Sequence, residues 1–243
     1  MQINDSLAII LAAGKGSRME SDRPKPLVNV FNRPILSWMI DDFHHYGIEV
    51  RPVINPNYKD LFRGYFKSIK FIDQNEPKGT GHAVMQTFDI LKNYKNIFVF
   101  VGDSPFVGIE NIIKMYNSHI NHNSDMTILS SYFIEKSFPY ARIIRNEKKH
   151  IIKCIEEIEA SSEQKKINEL FCSHYLFKSE ILQKYLMDLK PNKINGEIYF
   201  TDIINKLIND NKNVCSLIVD DWRRLVGLNT KEDLHWIESQ KIV

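Results

Sequence analysis

Long apolar runs are missing from this sequence. Nowhere in its 243 residues does an uninterrupted apolar stretch approach the ~18 residues that a membrane-spanning helix needs. The first apolar run is too short for a signal peptide and has no basic flank. We therefore expect a cytoplasmic protein with no membrane partner.

Cysteine and net charge are also scarce. The three cysteines, Cys154, Cys172 and Cys215, lie far apart and lack the spacing of a metal site, so we expect reduced and mostly buried thiols. A net charge of +2 indicates no basic surface for nucleic acid. With 43% apolar and 26% charged residues, the composition is that of an ordinary globular protein.

One loop, in contrast, is rich in small residues and cations. It follows a short apolar run, Leu7–Leu11, that we predict to be a buried strand. The loop reads Leu11-Ala12-Ala13-Gly14-Lys15-Gly16-Ser17-Arg18-Met19, and Arg23-Pro24-Lys25-Pro26-Leu27 follows shortly after. Small residues let the main chain approach a ligand, and exposed N–H groups bind anions. Because Lys15, Arg18 and Lys25 add positive charge, the loop predicts a polyphosphate ligand and a nucleoside triphosphate enzyme.

Three other loop types share some of these residues. A dinucleotide-binding loop requires a third glycine where Met19 stands. A P-loop requires Gly-x-x-x-x-Gly-Lys-Ser/Thr, and Gly14-Lys15-Gly16-Ser17 has those residue types in a different spacing. An ordinary glycine-rich turn is the third possibility, and it leaves the nearby Pro24-Lys25 without a role.

Strands and helices alternate in the first half of the chain. We predict strands at Leu7–Leu11, Val50–Ile54, Ile69–Ile72, Ile97–Val101 and Met126–Ser130, and helices at Pro34–Tyr46, Tyr58–Phe66, Gly81–Leu91 and Ile109–His119. In the second half we predict strands at Tyr140–Arg145, Ile151–Ile155, Phe171–Phe177 and Val214–Val219, and helices at Ile181–Leu189, Ile203–Asn209 and Lys231–Gln240. The pattern predicts an α/β fold with a mostly parallel central sheet. We expect a single domain over 1–243, with one lobe over about 1–130 and another over about 131–243.

Gly102-Asp103 follows the apolar run Ile97–Val101 directly. A carboxylate at the end of a buried strand is costly unless it binds a partner, and Mg²⁺ that bridges phosphates is such a partner. A helix cap or a turn aspartate is the alternative. Since ligands of parallel sheets bind at the carboxyl ends of the strands, Asp103 and the cationic loop are expected to meet there.

A third segment follows the third predicted strand. It reads Gln74-Asn75-Glu76-Pro77-Lys78-Gly79-Thr80-Gly81-His82-Ala83. Gln74 offers both a donor and an acceptor to a nucleobase, and Gly79 lets the base approach the backbone. The alternatives are a plain strand-to-helix turn for the segment and a packing role for His82.

Together these segments resemble the sugar-1-phosphate nucleotidyltransferases. The likeness is closest to the N-terminal uridyltransferase domain of bifunctional N-acetylglucosamine-1-phosphate uridyltransferase/acetyltransferases, and it runs over nearly the whole chain. Further matching segments are Tyr140-Ala141-Arg142-Ile143, Ile155-Glu156, Gly196-Glu197-Ile198-Tyr199-Phe200-Thr201-Asp202 and Gly227-Leu228-Asn229. The resemblance implies a Rossmann-like nucleotidyltransferase fold with a smaller, mixed acceptor-binding lobe.

The resemblance also implies a role for each matching position. Arg18, Lys25 and Asp103 would be catalytic, and Asp103 and Asn229 would bind Mg²⁺. The nucleotide would lie against Leu11, Ala12, Ala13, Gly14, Lys15, Gly16, Gln74, Gly79, Thr80 and Gly102. The acceptor would lie against Ala141, Glu156, Phe171, Tyr199 and Thr201.

Three positions depart from the family pattern. Ala141 stands where relatives have glycine, Phe171 where they have an asparagine that contacts the sugar, and Pro77 where they have glutamine near the base. An Asn-to-Phe change removes a donor and an acceptor and adds an apolar ring. We therefore expect poor use of N-acetylglucosamine 1-phosphate, improved by Phe171→Asn. The sequence has no hexapeptide repeats, so no acetyltransferase activity is expected.

The resulting expectation is an Mg²⁺-dependent transfer of a nucleotidyl group to a phosphorylated small-molecule acceptor, with pyrophosphate released. UTP and a sugar 1-phosphate are favoured as substrates. The runner-up is a cytidylyltransferase that uses CTP and a different acceptor, which includes non-sugar metabolites. Two further possibilities are a non-catalytic nucleotide-binding module and an NAD(P)-dependent enzyme. The latter requires a third loop glycine and an acidic residue after a second strand, and the sequence offers no convincing match to either.

Overall fold

The fold is built around one mixed sheet. A computed structural model describes residues 2–14, 16, 19, 23–134, 138–240 and 242. In these residues the longer strands are β1 (Ser6–Leu11), β4 (Glu49–Ile54), β6 (Asn96–Val101), β7 (Met126–Tyr132), β8 (Ala141–Arg145), β9 (Ile151–Ile155), β10 (Glu169–Lys178) and β11 (Val214–Ile218). Three strands are only two residues long, namely β2 (Asn29–Val30), β3 (Arg33–Pro34) and β5 (Ile72–Asp73).

Helices pack on the sheet and connect its strands. They are α1 (Ile35–His45), α2 (Lys59–Tyr65), α3 (Thr80–Met85), α4 (Phe88–Leu91), α5 (Ile109–Asn121), α6 (Ser179–Leu186), α7 (Asp202–Asn209) and α8 (Lys231–Ser239). In α1 the buried residues Leu36, Met39 and Phe43 recur at helical spacing, which gives the helix one apolar face. Among the described residues, no helix is both long enough and apolar enough to cross a membrane.

The main path of the sheet runs in the order β11-β7-β10-β6-β1-β4-β5. The neighbours β6, β1, β4 and β5 pair in parallel, as do β7 and β11. β10 is antiparallel to both β6 and β7, and it also pairs with β8, which extends to β9. The prediction of an α/β fold with a mostly parallel sheet flanked by helices is confirmed.

β1 and β6 are the apolar, buried strands at the centre of the sheet, and their pairing determines which segments meet at its edge. Both are apolar along nearly their whole length and almost fully buried, as expected of parallel strands that are covered on both faces. Their pairing places Leu11 opposite Val101, so the segments that follow the two strands emerge side by side. The main-chain N–H of Gly102 then donates to Leu11 O at 2.9 Å, which holds the two strand ends together.

Two predicted elements differ from the observed ones. The predicted strand Ile69–Ile72 is observed only at Ile72–Asp73, since the chain pairs with β4 over two residues. The predicted helix Gly81–Leu91 is two helices, α3 and α4. The break lies at Thr87, a buried residue whose hydroxyl donates back to Val84 O at 2.7 Å.

The two halves of the chain share the central sheet. β10, from the second half, lies between β6 and β7 of the first half. The division into a nucleotide-binding lobe and an acceptor-binding lobe remains a prediction.

Candidate active site

Two cavities open at the carboxyl ends of β1 and β6. We name them after the residues predicted for each substrate: the nucleotide-side cavity, which Gly14 and Gln74 line, has a volume of about 410 Å³, and the acceptor-side cavity, which Ala141 and Glu156 line, has about 340 Å³. Both are lined by Val101, Asp103 and Asn229, so the two cavities meet at these residues. An enzyme that joins two substrates requires such a common wall at its reacting centre.

The nucleotide-side cavity brings together nearly all the residues that the sequence predicted for the nucleotide. Those that line it are Leu11, Ala12, Ala13, Gly14, Gly16, Gln74, Gly79, Thr80 and Gly102. The predicted catalytic residues Lys25 and Asp103 line it as well. Lys15 and Arg18 lie outside the described residues. Pro77, Ala83, Glu197 and Tyr199 complete much of the wall.

Small residues give this cavity its shape. A Cβ at position 102 would lie 2.8 Å from Leu11 O, closer than real Cβ contacts allow. Gly79 has a φ of +99°, and a Cβ there would lie 2.6 Å from Ile198 O. Glycine at these positions lets the ends of β1 and β6 and the turn into α3 approach closely, and it leaves main-chain groups accessible to a ligand.

Lys25 is the cation at the junction of the two cavities. It begins a short 3₁₀ helix, Lys25–Leu27, and is 9% exposed. Its Nζ donates to Asp103 Oδ2 at 2.5 Å and to Asn229 Oδ1 at 2.8 Å. The side chains of Lys25 and Asp103 are 11% and 27% exposed, so the pair is partly shielded from water.

Asp103 and Asn229 each direct one side-chain oxygen at the same atom, the Lys25 ammonium nitrogen. A metal ion that bound both oxygens would have to take the place of this ammonium. Carboxylate and amide oxygens are hard ligands of the type that Mg²⁺ takes, and Mg²⁺ completes its shell with phosphates and water. Among the described residues no group of three or more His, Cys, Asp or Glu could hold a metal, so substrate oxygens would have to supply further ligands.

Asn229 is held by residues that sequence reasoning did not single out. Asp233 Oδ2 accepts from Asn229 N at 2.9 Å and from Thr230 N at 3.0 Å, and the Thr230 side chain in turn accepts from Asp233 N. This capping box starts α8, and the Thr-x-x-Asp spacing is a recognisable sequence signal for it.

Gly227 brings this segment close to Asp103. A Cβ at position 227 would lie 3.0–3.1 Å from the Asp103 carboxylate. Leu228 N donates to Asp103 O at 2.8 Å, and Gly227 N donates to the Tyr140 hydroxyl at 2.9 Å. Tyr140 thus links the acceptor-side wall to the segment that carries Asn229, and burial raises the pKa of its hydroxyl well above the usual value.

The acceptor-side cavity contains three of the five residues predicted for the acceptor: Ala141, Glu156 and Phe171. Thr201 does not line this cavity. It is 5% exposed and donates its hydroxyl to the Glu156 carboxylate, so it helps to hold Glu156 in place. Tyr199 instead lines the nucleotide-side cavity, where its hydroxyl accepts from Asn195 Nδ2 at 2.6 Å.

Glu156 is a partly buried carboxylate. Burial raises its pKa, and the hydrogen bond from Thr201 partly offsets that rise, while the charges of Asp202 and Glu159 add to it. A carboxylate with unused acceptor capacity at the wall of a cavity can accept hydrogen bonds from a hydroxyl or an N–H of a ligand.

Phe171 lines the acceptor-side cavity but exposes only 1% of its surface. Its ring packs edge-on against Tyr175, with 4.8 Å between ring centroids. The pairing of β10 with β7 shifts between Phe171 and Tyr175, and Ser173 has a φ of +61° within this irregular stretch. Phe171→Asn would therefore bury an amide among apolar rings, a stability cost that the sequence alone did not indicate.

Comparison with known proteins agrees with this geometry. The model of the nucleotidyl transferase family matches residues 7–236. The bifunctional protein GlmU of Thermosipho africanus is 33% identical over 231 residues, which are 95% of this chain and 49% of that protein. GlmU of Streptococcus uberis is 32% identical over 96% of this chain and 51% of its own length.

The chain thus spans about half the length of the curated relatives it matches. The resemblance inferred from the sequence motifs is confirmed, and so is the expectation of an enzyme that transfers nucleotidyl groups. The protein belongs to the nucleotidyl transferase family.

Proposed function

We propose that this nucleotidyltransferase moves a nucleotidyl group from a pyrimidine nucleoside triphosphate, UTP before CTP, to a phosphorylated small-molecule acceptor, of which a sugar 1-phosphate is the favoured class. Pyrophosphate is the second product. The observation that carries the proposal is the meeting of the two cavities at Asp103 and Asn229, whose side-chain oxygens converge on Lys25. A reaction between two bound phosphates needs this combination of shared wall, oxygen ligands and cation.

In the proposed reaction an oxygen of the acceptor phosphate attacks the α-phosphorus of the triphosphate. A new P–O bond forms there, and the bond to the β-phosphate breaks, so its electron pair leaves with pyrophosphate. The attacking oxygen is already ionised, and no general base is required. Positioning and charge neutralisation then supply the catalysis, as is general for phosphoryl-type transfers.

Lys25 and Arg18 are the proposed cations of this step. Lys25 reaches the junction of the two cavities, where two polyanions would otherwise repel each other. Asp103 and Asn229 would hold Mg²⁺, which, when bound, neutralises phosphate charge. The hydrogen bonds of Tyr140 and of the Thr230–Asp233 capping box hold the main chain around Asn229 beside Asp103.

The resemblance of the motifs to the uridyltransferase domains supports a uridylyl donor and an acceptor of the sugar 1-phosphate class. The residues at two positions favour a second candidate. Pro77 lines the nucleotide-side cavity and has no N–H to offer a base. Phe171 takes the place of the asparagine that contacts the sugar in the family, so the amide of that contact is absent here. A cytidylyltransferase with a different phosphorylated acceptor is therefore the alternative.

A substrate matrix tests the proposal. The purified protein is incubated with ATP, GTP, CTP or UTP, each with a panel of phosphorylated sugars and non-sugar phosphates, and pyrophosphate is measured with and without Mg²⁺. We expect release with a pyrimidine triphosphate, only with an acceptor and only with the divalent ion. Asp103→Ala is the control. Nucleotide binding without pyrophosphate from any pair would contradict the proposal and favour a non-catalytic module.

A further inference from the structure

Gln74 is buried at the edge of the nucleotide-side cavity. It follows β5 directly, is 6% exposed, and donates its main-chain N–H to Ile54 O at 2.8 Å. Its side-chain amide could show either its oxygen or its nitrogen to a ligand, and the two present opposite hydrogen-bonding groups. The neighbours of the amide decide which one faces the cavity.

The Gln74 side-chain nitrogen has two contacts within the protein. Nε2 donates to Gly79 O at 3.2 Å and lies 3.1 Å from His82 Nδ1. A carbonyl oxygen can only accept, so Nε2 and not Oε1 must face Gly79. Nε2 has a second hydrogen, which His82 Nδ1 accepts in the tautomer that carries its proton on Nε2. In that tautomer the 3.3 Å contact between Gln86 Nε2 and His82 Nε2 is not a hydrogen bond, and Gln86 donates to His82 O instead. Oε1 is the atom left for a ligand.

The start of α3 holds His82 in place for this contact. Gly79 precedes the helix with its left-handed backbone conformation, and Gly81 N donates to Ile198 O at 2.8 Å. Gln86, one turn further along, donates Nε2 to His82 O at 3.0 Å. His82 therefore stands on a helix turn that is fixed at both ends.

We propose that His82 is a positioning residue for the nucleobase. Its Nδ1 takes the second hydrogen of the Gln74 amide and so keeps Oε1 turned towards the cavity. The Gln74 oxygen then selects a base with an N–H on the edge that faces it, as uracil and cytosine both have. This inference rests on the proposed function, because it concerns the nucleotide of that reaction.

Two substitutions at His82 distinguish a positioning role of this residue from a purely structural one. His82→Leu removes the acceptor, whereas His82→Asn restores an oxygen near the place of Nδ1. We expect His82→Leu to raise the Kd and KM of the pyrimidine triphosphate about 3- to 10-fold, the effect of one hydrogen bond, and to leave kcat within about twofold. His82→Asn should regain most of the affinity, and both variants should unfold at the wild-type temperature.

Calorimetric titration with UTP and CTP gives the Kd values, and pyrophosphate release gives KM and kcat. Equal affinity of wild type and His82→Leu would overturn the inference while leaving the proposed function intact. Equal losses in His82→Leu and His82→Asn would overturn it as well. A wild type that binds no nucleotide would remove the proposed function and, with it, the role of His82 at a base.

The ring of His82 offers a readout that does not depend on turnover. In ¹⁵N spectra recorded at mildly alkaline pH, with the signal assigned by its loss in His82→Leu, we expect the proton on Nε2 and none on Nδ1. A proton on Nδ1 would contradict the contact with Gln74, whatever reaction the protein catalyses.

Discussion

The two cavities at the carboxyl edge of the sheet are built differently. The nucleotide-side cavity is made largely of main chain and small residues at the ends of β1 and β6, and it meets Lys25 at its inner end. The acceptor-side cavity is lined by larger side chains as well, among them Tyr140, Phe171 of β10 and Glu156, which directly follows β9. We therefore expect the small residues of the first cavity to bind the nucleotide and the side chains of the second to determine which acceptor fits.

If this comparison holds, substitutions at the junction should affect every substrate pair, and substitutions in the acceptor wall should affect the acceptor alone. The substitutions below test that difference, beginning with the largest expected effect.

Asp103→Ala should have the largest effect, because it removes the carboxylate common to both cavities. We expect kcat/KM for pyrophosphate release to fall about 100- to 1,000-fold, or ~2.7–4 kcal/mol, as when one preorganised electrostatic contact is removed. The loss should be similar for every acceptor that the wild type uses. Thermal unfolding of the variant is the control for its fold, and turnover within about twofold of wild type would remove Asp103 from the reacting centre.

Lys25→Met should come next. The ammonium at the junction neutralises phosphate charge, so its loss should lower kcat about 10- to 100-fold, or ~1.4–2.7 kcal/mol, with a fold that survives. Lys166→Met is the matched control, since Lys166 pairs with Glu163 on the surface, where both side chains are well exposed. A folded Lys25→Met protein with the turnover of the Lys166→Met control would contradict the role of Lys25.

Glu156→Gln should act on the acceptor only. Loss of the negative charge of the Glu156 carboxylate should raise the KM of the phosphorylated substrate about 10-fold, because a hydrogen bond to a charged group is worth ~1.5–3 kcal/mol. The KM of the triphosphate should stay unchanged. Steady-state kinetics with each substrate varied in turn measure both constants. A rise in the nucleotide KM instead would break the distinction between the two cavities.

The same variant has a signature in the pH dependence of stability. Burial raises the pKa of Glu156 in the folded protein, so the folded state holds this proton more tightly than the unfolded state. The stability that this tighter proton binding gives the folded state is fully present below the pKa of Glu156 in the unfolded chain, and it is lost as the pH rises through the pKa in the folded protein. The free energy of unfolding of Glu156→Gln, measured by chemical unfolding, should therefore rise relative to that of the wild type as the pH rises from about 4 to about 8. A constant difference would argue against the raised pKa.

Phe171→Leu should have the smallest effect on catalysis. Because only 1% of Phe171 is exposed, the change should alter acceptor KM by less than about threefold and lower the free energy of unfolding by about 1 kcal/mol. Phe171→Asn should destabilise by about 3 kcal/mol or more, since it adds a buried amide to the loss of the ring. Acceptor kinetics and urea unfolding separate the two effects. A large KM change in Phe171→Leu would mean that the ring touches the acceptor.

The nucleotide-side cavity was largely predictable from the sequence. Apolar strands such as β1 and β6 are continuous runs, and parallel pairing brings the residues that follow them to one edge. The order of strands and loops along the chain was therefore enough to place Gly102-Asp103 beside the loop after Leu11. The Asn229 segment was included only through the family resemblance, although its Thr-x-x-Asp capping box was readable.

The acceptor side was less predictable because it depends on pairing between distant segments. β10 inserts between β6 and β7 in the antiparallel direction, and no local pattern indicates that choice. The irregular stretch after Phe171 in β10 then decides which side chains face the core. For this reason the sequence identified Phe171 as a departure from the family but not as a nearly buried ring.

The central claim is that Asp103 and Asn229 hold a divalent ion against the phosphates where the two cavities meet. Its most direct test is a crystal structure of the protein with its pyrimidine triphosphate and Mg²⁺. We expect the ion to bind a carboxylate oxygen of Asp103, Asn229 Oδ1 and a phosphate oxygen, with Lys25 on the phosphates. An ion bound away from these two side chains, or phosphates outside the nucleotide-side cavity, would contradict the account.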